Sequence, residues 1–181
     1  MIINSKGYEL VFVQKEKATY VDCHTQTYVF KFKSEKTKTK YIVQMSEHLN
    51  DFFVIKFYAQ KHSKSDKRYN LIINDHDIVN VLITSLKAIP YMLKIKPTAS
   101  FGFIGSRTLD QKKIEKYNSN QRYRIYKSHI DQVLGYKTFT HKFINESSCY
   151  ALYNNKIKNI NTYHEKIVDM IKLNYDNVFD F

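Results

Sequence analysis

Residues 52–59 read FFVIKFYA, apolar at nearly every position. Few stretches constrain a fold more. A strand with one wet face alternates apolar and polar residues, whereas a run that is apolar on both parities must be covered on both faces. FFVIKFYA therefore predicts a central strand with neighbours on each side and a packed layer above and below it. Upstream, Tyr28, Phe30 and Phe32 alternate with Val29, Lys31 and Lys33, and Tyr41, Val43 and Met45 alternate likewise after the basic turn SEKTKTK. Period-two patterning with polar partners predicts strands with one solvated face. QKHSKSDKR (60–68) reads as a charged turn, and YNLII (69–73) as the returning strand of a hairpin with 52–59.

The pattern changes at Asn74. Ile78, Val81, Leu82, Ser85, Leu86 and Ile89 fall at helical spacing on one face. Asn74 or Asp75 is the expected cap, and Pro90, which lacks an N–H, is expected to kink the helix or end it early. SFGFI (100–104) predicts a short strand, with Gly102 and Gly105 allowing close backbone approach. Residues 106–117 read as a charged loop or a short helix. A second helix follows, with Asn118 to Asn120 as candidate caps, an apolar stripe of Tyr123, Tyr126, Ile130, Val133 and Leu134, and Gly135 at its end. KTFTHKFI (137–144) and CYALYN (149–154) predict a hairpin around NESS. Thr162 and Glu165 have capping-box spacing for a last helix that docks Ile167, Val168 and Ile171.

The expected architecture is α+β, a mostly antiparallel central sheet with flanking helices. One domain spans 1–181, with antiparallel strands in 28–73, a helix–strand–helix–hairpin core in 75–154 and a C-terminal helix in 162–173. At 181 residues and 43% hydrophobic, the chain is long enough for one substantial core.

The formal net charge is +12, which favours attraction to polyanions. The Lys/Asn/Ile/Tyr bias also fits an AT-rich genome, so lysine abundance alone says little about function. Cys23 and Cys149 are the only cysteines, and no Cys/His spacing of zinc type occurs. MIINSKGYEL lacks the apolar core of a signal peptide, and no apolar run of membrane-spanning length stands out. The expectation is a cytoplasmic protein with no membrane partner and no metal.

The run from FFVIKFYA to CYALYN resembles the core of the GNAT superfamily, the acetyl-CoA-dependent N-acyltransferases. In that fold antiparallel strands lead into a helix, a parallel splayed strand, a second helix and two closing strands. Asn118 or Asn120, Arg122, Tyr126, Gly135 and Tyr136 look like the pattern of the family's second helix. The spacing from Asn to Tyr departs from that pattern by one residue. The chain as a whole also resembles an uncharacterised protein family seen largely in Bacteroidetes, through KFY (56–58), YNL (69–71), SFGFIGSR (100–107) and RYRIY (122–126). That second likeness implies no reaction.

The GNAT resemblance implies acetyl-CoA as cofactor, Tyr126 as the general acid that protonates the departing thiolate, and Arg122 and Asn120 as cofactor contacts. It also implies a Gln/Arg-x-x-Gly-x-Gly/Ala loop whose backbone N–H groups hold the pyrophosphate at a helix start. Here the corresponding segment is KRYNLIINDHDI, which has no Gly and sets Asp75 and Asp77 at the helix start. Carboxylates there complement the helix dipole themselves and oppose phosphates.

Three basic clusters suggest the alternative, a non-catalytic module that binds nucleic acid or an acidic protein partner. KFKSEKTKTK (31–40) and KHSKSDKR (61–68) read as solvated loop tips. The third comprises Arg107, Lys112, Lys113, Lys116, Arg122, Arg124 and Lys127, interleaved with Tyr117 and Tyr123, a combination suited to phosphate contact and base stacking. By analogy, such a protein would serve in a toxin–antitoxin or phage-defence operon. The seven histidines are scattered; His129 and His141 are the pair that could converge. Cys149 reads as a buried strand residue rather than a nucleophile.

Overall fold

The computed structural model describes residues 6–19, 24–71, 76–105, 109–110, 113–114, 119–144 and 148–175. Seven strands form one sheet: β1 (Val11–Lys17), β2 (Gln26–Lys33), β3 (Lys40–His48), β4 (Phe52–Ala59), β5 (Ser100–Ile104), β8 (Phe139–Ile144) and β9 (Cys149–Asn154). Their order is β1-β2-β3-β4-β5-β9-β8. Every neighbouring pair is antiparallel except β4 and β5, which run parallel. A parallel pair needs a crossover. Helices α1 (Ile78–Leu86) and α2 (Ala88–Ile95) supply it. Helix α3 (Gln121–Leu134) links β5 to the closing hairpin, and α4 (Ile160–Asn174) ends the described chain. The architecture is α+β with a mostly antiparallel sheet.

β4 sorts its residues as expected. Phe53, Ile55, Phe57 and Ala59 join a core shared with α1, α2 and α3, while Phe52 and Val54 join a second core under α4. β9 does the same: Tyr150 and Leu152 lie on the first side, Cys149, Ala151 and Tyr153 on the second. β9 is covered on both faces along its length and β4 over Phe52–Ile55, while Lys56 and Tyr58 farther along β4 are half-exposed on the side of α4.

β4 and β5 pair only from Phe52↔Ser100 to Ile55↔Phe103. Beyond Ile55, β4 continues against β3 alone, through Lys56↔Gln44 to Ala59↔Tyr41. The two parallel strands thus part halfway along β4.

Several expectations are corrected. Tyr69 and Asn70 lie in a turn and Leu71 in no strand, so the neighbours of β4 are β3 and β5 rather than a returning YNLII; residues 72–75 lie outside the described residues. VFVQKEK forms β1, a strand not foreseen because all seven residues are exposed and only three are apolar. Within 106–117 the described residues form a two-stranded ladder, β6 (Leu109–Asp110) with β7 (Lys113–Ile114), not a helix. The last helix starts at Ile160, capped by Asn159, whose side chain accepts from Thr162 N at 3.1 Å; the box at Thr162 and Glu165 is one turn too late. Val133 is 41% exposed and so leaves the apolar stripe of α3.

Pro90 acts as expected. The helix breaks at Lys87, and Pro90 falls in the first turn of α2, where a missing N–H costs nothing. Ile78–Ile95 taken together is long and apolar enough to cross a bilayer by length and composition, so the reading that no such run exists was too strict. In this fold the run is split in two, and Val81, Leu82, Leu86, Ile89 and Met92 belong to the core.

Candidate functional site

α3 begins at Asn120, whose side chain accepts from Tyr123 N at 3.0 Å. The amide nitrogen of the same side chain donates to Gly105 O, and Asn120 N donates to Ser148 Oγ at 3.1 Å. Gly105 has no room for a side chain, since an added Cβ would lie 2.5 Å from Asn120 Oδ1. Asn120 is 1% exposed. It joins the end of β5, the start of α3 and the start of β9, and its buried amide has no atom left for a cofactor.

Two turns along, Tyr126 points into the core. Its ring lies 5.5 Å from that of Phe103 and 6.4 Å from that of Phe57. These rings stand on β5 and β4 where the two strands part, so Tyr126 closes that opening from the helical side. Its hydroxyl has no hydrogen-bond partner among the described residues. Burial raises its pKa and the neighbouring Arg122 partly opposes this, so the phenol stays protonated. Arg122 is half-buried and donates to Leu71 O at 3.0 Å, pinning the end of the loop that follows β4.

Arg124 and Lys127 are exposed on the outer side of α3. Arg124 reaches back to Ser119 O at 2.7 Å, and Lys127 Nζ sits 5.0 Å over the Phe143 ring. Tyr123, 1% exposed, is core material and offers no platform to a base. Lys113 lies in β7. Arg107, Lys112, Lys116 and Tyr117 lie outside the described residues, as do Asn74, Asp75 and Cys23. Of the basic cluster, the structure thus brings Arg122, Arg124 and Lys127 onto one helix.

The resemblance would set a pyrophosphate at the start of α1, against backbone N–H groups. Asp77 stands at the N-cap position, 1% exposed, without capping through its side chain. Its carboxylate accepts from Tyr8 Oη at 2.8 and 3.0 Å, Ser34 Oγ at 2.5 Å and Asn80 Nδ2 at 2.7 Å. The helix start already holds a carboxyl group of the protein's own, buried and bonded to the N-terminal segment through Tyr8. Nothing in the local sequence flags Tyr8 and Ser34 as its partners, because they are remote in the chain.

The remaining candidates find ordinary partners. His129 Nδ1 meets Ile125 O at 3.0 Å, whereas His141 bridges Tyr150 Oη at 2.6 Å and Gly135 O at 2.7 Å. The two histidines are thus engaged with different neighbours. Cys149 is fully buried, and burial pushes its thiol up to about 12. Among the described residues no group of three or more His, Cys, Asp or Glu side chains could hold a metal ion. Compared with protein-family models, curated proteins and solved structures, the chain matches none.

Proposed function

We propose that this chain is a GNAT-like domain whose acyl-CoA site is closed, and that it works as a basic module binding nucleic acid. The strand order supports the fold reading. One parallel pair spanned by a helical crossover, parting halfway along β4, is followed by a helix and an antiparallel hairpin whose last strand returns to β5. The observation that carries the functional reading is Asp77. A sealed carboxylate with donors from Tyr8, Ser34 and Asn80 takes the place of the cofactor's phosphates.

Binding falls to the outer side of α3. Arg124 and Lys127 are exposed there while Tyr123 and Tyr126 are buried. With both tyrosines of α3 buried, these cations contact phosphates and carry little base preference. The net charge of +12 adds long-range attraction.

A divergent N-acyltransferase is the second reading. The hydroxyl of Tyr126, protonated and without a hydrogen-bond partner among the described residues, favours it. Calorimetry with millimolar acetyl-CoA and anisotropy of a labelled single-stranded oligonucleotide decide between the two. The binding module gives no heat with the cofactor and an oligonucleotide affinity that falls with salt. The double variant R124Q/K127Q lowers the salt slope by about two. Acetyl-CoA heat would favour the enzyme, and an unchanged anisotropy at low salt would end the nucleic-acid reading.

A further inference from the structure

The sheet face under α4 changes character along its width. Beneath the helix it presents Phe52, Val54, Cys149, Ala151 and Tyr153. Past the end of α4, on the same face, it presents Glu16, Thr27, Ser46, Gln44 and Lys56. The register places Glu16 opposite Thr27, Thr27 opposite Ser46, and Gln44 opposite Lys56. This polar floor belongs to a groove of about 510 Å³. Arg68 and Tyr69 wall it from the loop after β4, Tyr175 from the end of α4, and Lys17 from the end of β1.

Arg68 lies in the stretch that reads as a solvated loop tip, yet it is held in place. Its guanidinium sits 5.3 Å from the ring centre of Tyr58 and 5.0 Å from that of Tyr69. Among the described residues no carboxylate forms an ion pair with it. Its Nε, shut off from solvent, has no acceptor, its Nη1 reaches Ser63 O only at 3.5 Å, and the Tyr69 hydroxyl is its side-chain partner, raising its pKa. Lys56 Nζ lines the same groove, 4.7 Å over the Tyr175 ring and 5.6 Å over the Tyr69 ring. Gln44 accepts from the Tyr69 hydroxyl through its carbonyl oxygen.

We propose that this groove binds a small phosphate monoester of nucleoside monophosphate size. A guanidinium fork matches phosphate oxygens in pairs, and ring packing on Arg68 removes much of the entropy that a free arginine would lose on binding. Lys56 and Lys17 add charge, and among the described residues lining the groove Glu16 is the one carboxylate. Gln44 donates, and the edges of Tyr69 and Tyr175 supply apolar surface for a sugar or base. The volume lies in the range of small-molecule sites, and inorganic phosphate alone would leave most of it unfilled.

The test is an amide-resolved NMR titration of the full chain with AMP, ribose 5-phosphate, inorganic phosphate and adenosine. AMP and ribose 5-phosphate should shift Thr27, Gln44, Ser46, Lys56 and Tyr69, whereas adenosine at the same concentration should not. Arg68→Lys keeps the charge but loses the fork, and should weaken AMP about tenfold with an unchanged unfolding midpoint. R124Q/K127Q should leave AMP binding intact while lowering oligonucleotide binding, which separates this site from the surface of α3. No shift at millimolar AMP, shifts confined to α3, or equal binding of adenosine would each overturn the proposal.

Discussion

Tyr8 donates its hydroxyl to the carboxylate of Asp77, 2.8 Å from one oxygen and 3.0 Å from the other. This pair ties the N-terminal segment to the start of α1, with Ser34 as a third member. The raised pKa of Tyr8 has burial as its largest cause, followed by the opposing Ser34 bond and the reinforcing Asp77 bond and charge. Asp77→Ala removes the acceptor and strands both hydroxyls, so it should cost about 2–3 kcal/mol in urea unfolding. Asp77→Asn keeps the volume and one acceptor and should cost less. Neither variant should bind acetyl-CoA, because 67–78 still lacks the glycine that lets backbone approach a phosphate. Cofactor heat with Asp77→Ala would show that the carboxylate alone closes the site.

FFVIKFYA shows what is legible in a sequence. A strand covered on both faces writes its burial into every residue, and its place at the centre of the sheet follows. SFGFI and CYALYN were legible for the same reason. YNLII is equally apolar, yet Tyr69 spends its ring on Tyr58 and its hydroxyl on Gln44. A Tyr69 side chain packed onto the sheet has the same local composition as one in a strand within it. The partners of Asp77 were illegible because Tyr8 and Ser34 reach it only through the folded sheet. Arg68 is a related case. Its sequence neighbours are charged and polar, and only the folded loop brings Tyr58 beneath it.

The ring of Phe52 fills the space that a side chain on Gly102 would need. An added Cβ would lie 2.5 Å from Phe52 Cζ and 2.9 Å from Cε1. Both residues are fully enclosed, between β5 and the core under α4. Gly102→Ala should therefore destabilise by about 1–3 kcal/mol. Combining it with Phe52→Leu should cost less than the sum of the two single changes, since the smaller side chain relieves the clash. Strict additivity in thermal unfolding would show that the clash is absorbed elsewhere.

Asn120 predicts an inversion of the usual helix-cap ranking. Asn and Asp normally cap about equally well. Here the oxygen of the side chain accepts from Tyr123 N while its nitrogen donates to Gly105 O. Asn120→Asp keeps the first bond but sets a carboxylate oxygen against the Gly105 carbonyl inside the protein. It should destabilise at least as much as Asn120→Ala, by about 2 kcal/mol or more. An Asp variant as stable as the wild type would show that Gly105 O has another donor.

Cys149 should be inert. Only the thiolate reacts, and a thiol pushed up to about 12 by burial yields almost none at neutral pH. In a Cys23→Ser background, iodoacetamide should leave the native protein unmodified near pH 8 and should label it once urea unfolds the chain. Labelling of the folded protein at the rate of the unfolded one would mean that the core under α4 opens readily.

His164 makes the docking of α4 sensitive to acid. Tyr153 Oη lies 2.7 Å from His164 Nδ1. Burial drives the Tyr153 pKa far up, so the phenol is the donor and Nδ1 the acceptor, which requires neutral imidazole. The histidine pKa is lowered accordingly, by burial first and then by Lys142, with Glu165 opposing. The unfolded chain takes up the proton at higher pH than the folded one, so stability rises with pH through this interval. The contribution is fully present above the ordinary histidine value of about 6.5 and is lost as pH falls from there through the lower folded value. Urea midpoints measured on the wild type from about pH 8 down to about pH 5 should therefore fall more steeply than those of His164→Gln, which cannot charge. Other histidines titrate in both proteins, so the difference between the two curves is the readout. Parallel curves would mean that protonated His164 finds an equally good partner in the folded state, with the Tyr153 hydroxyl turned to accept.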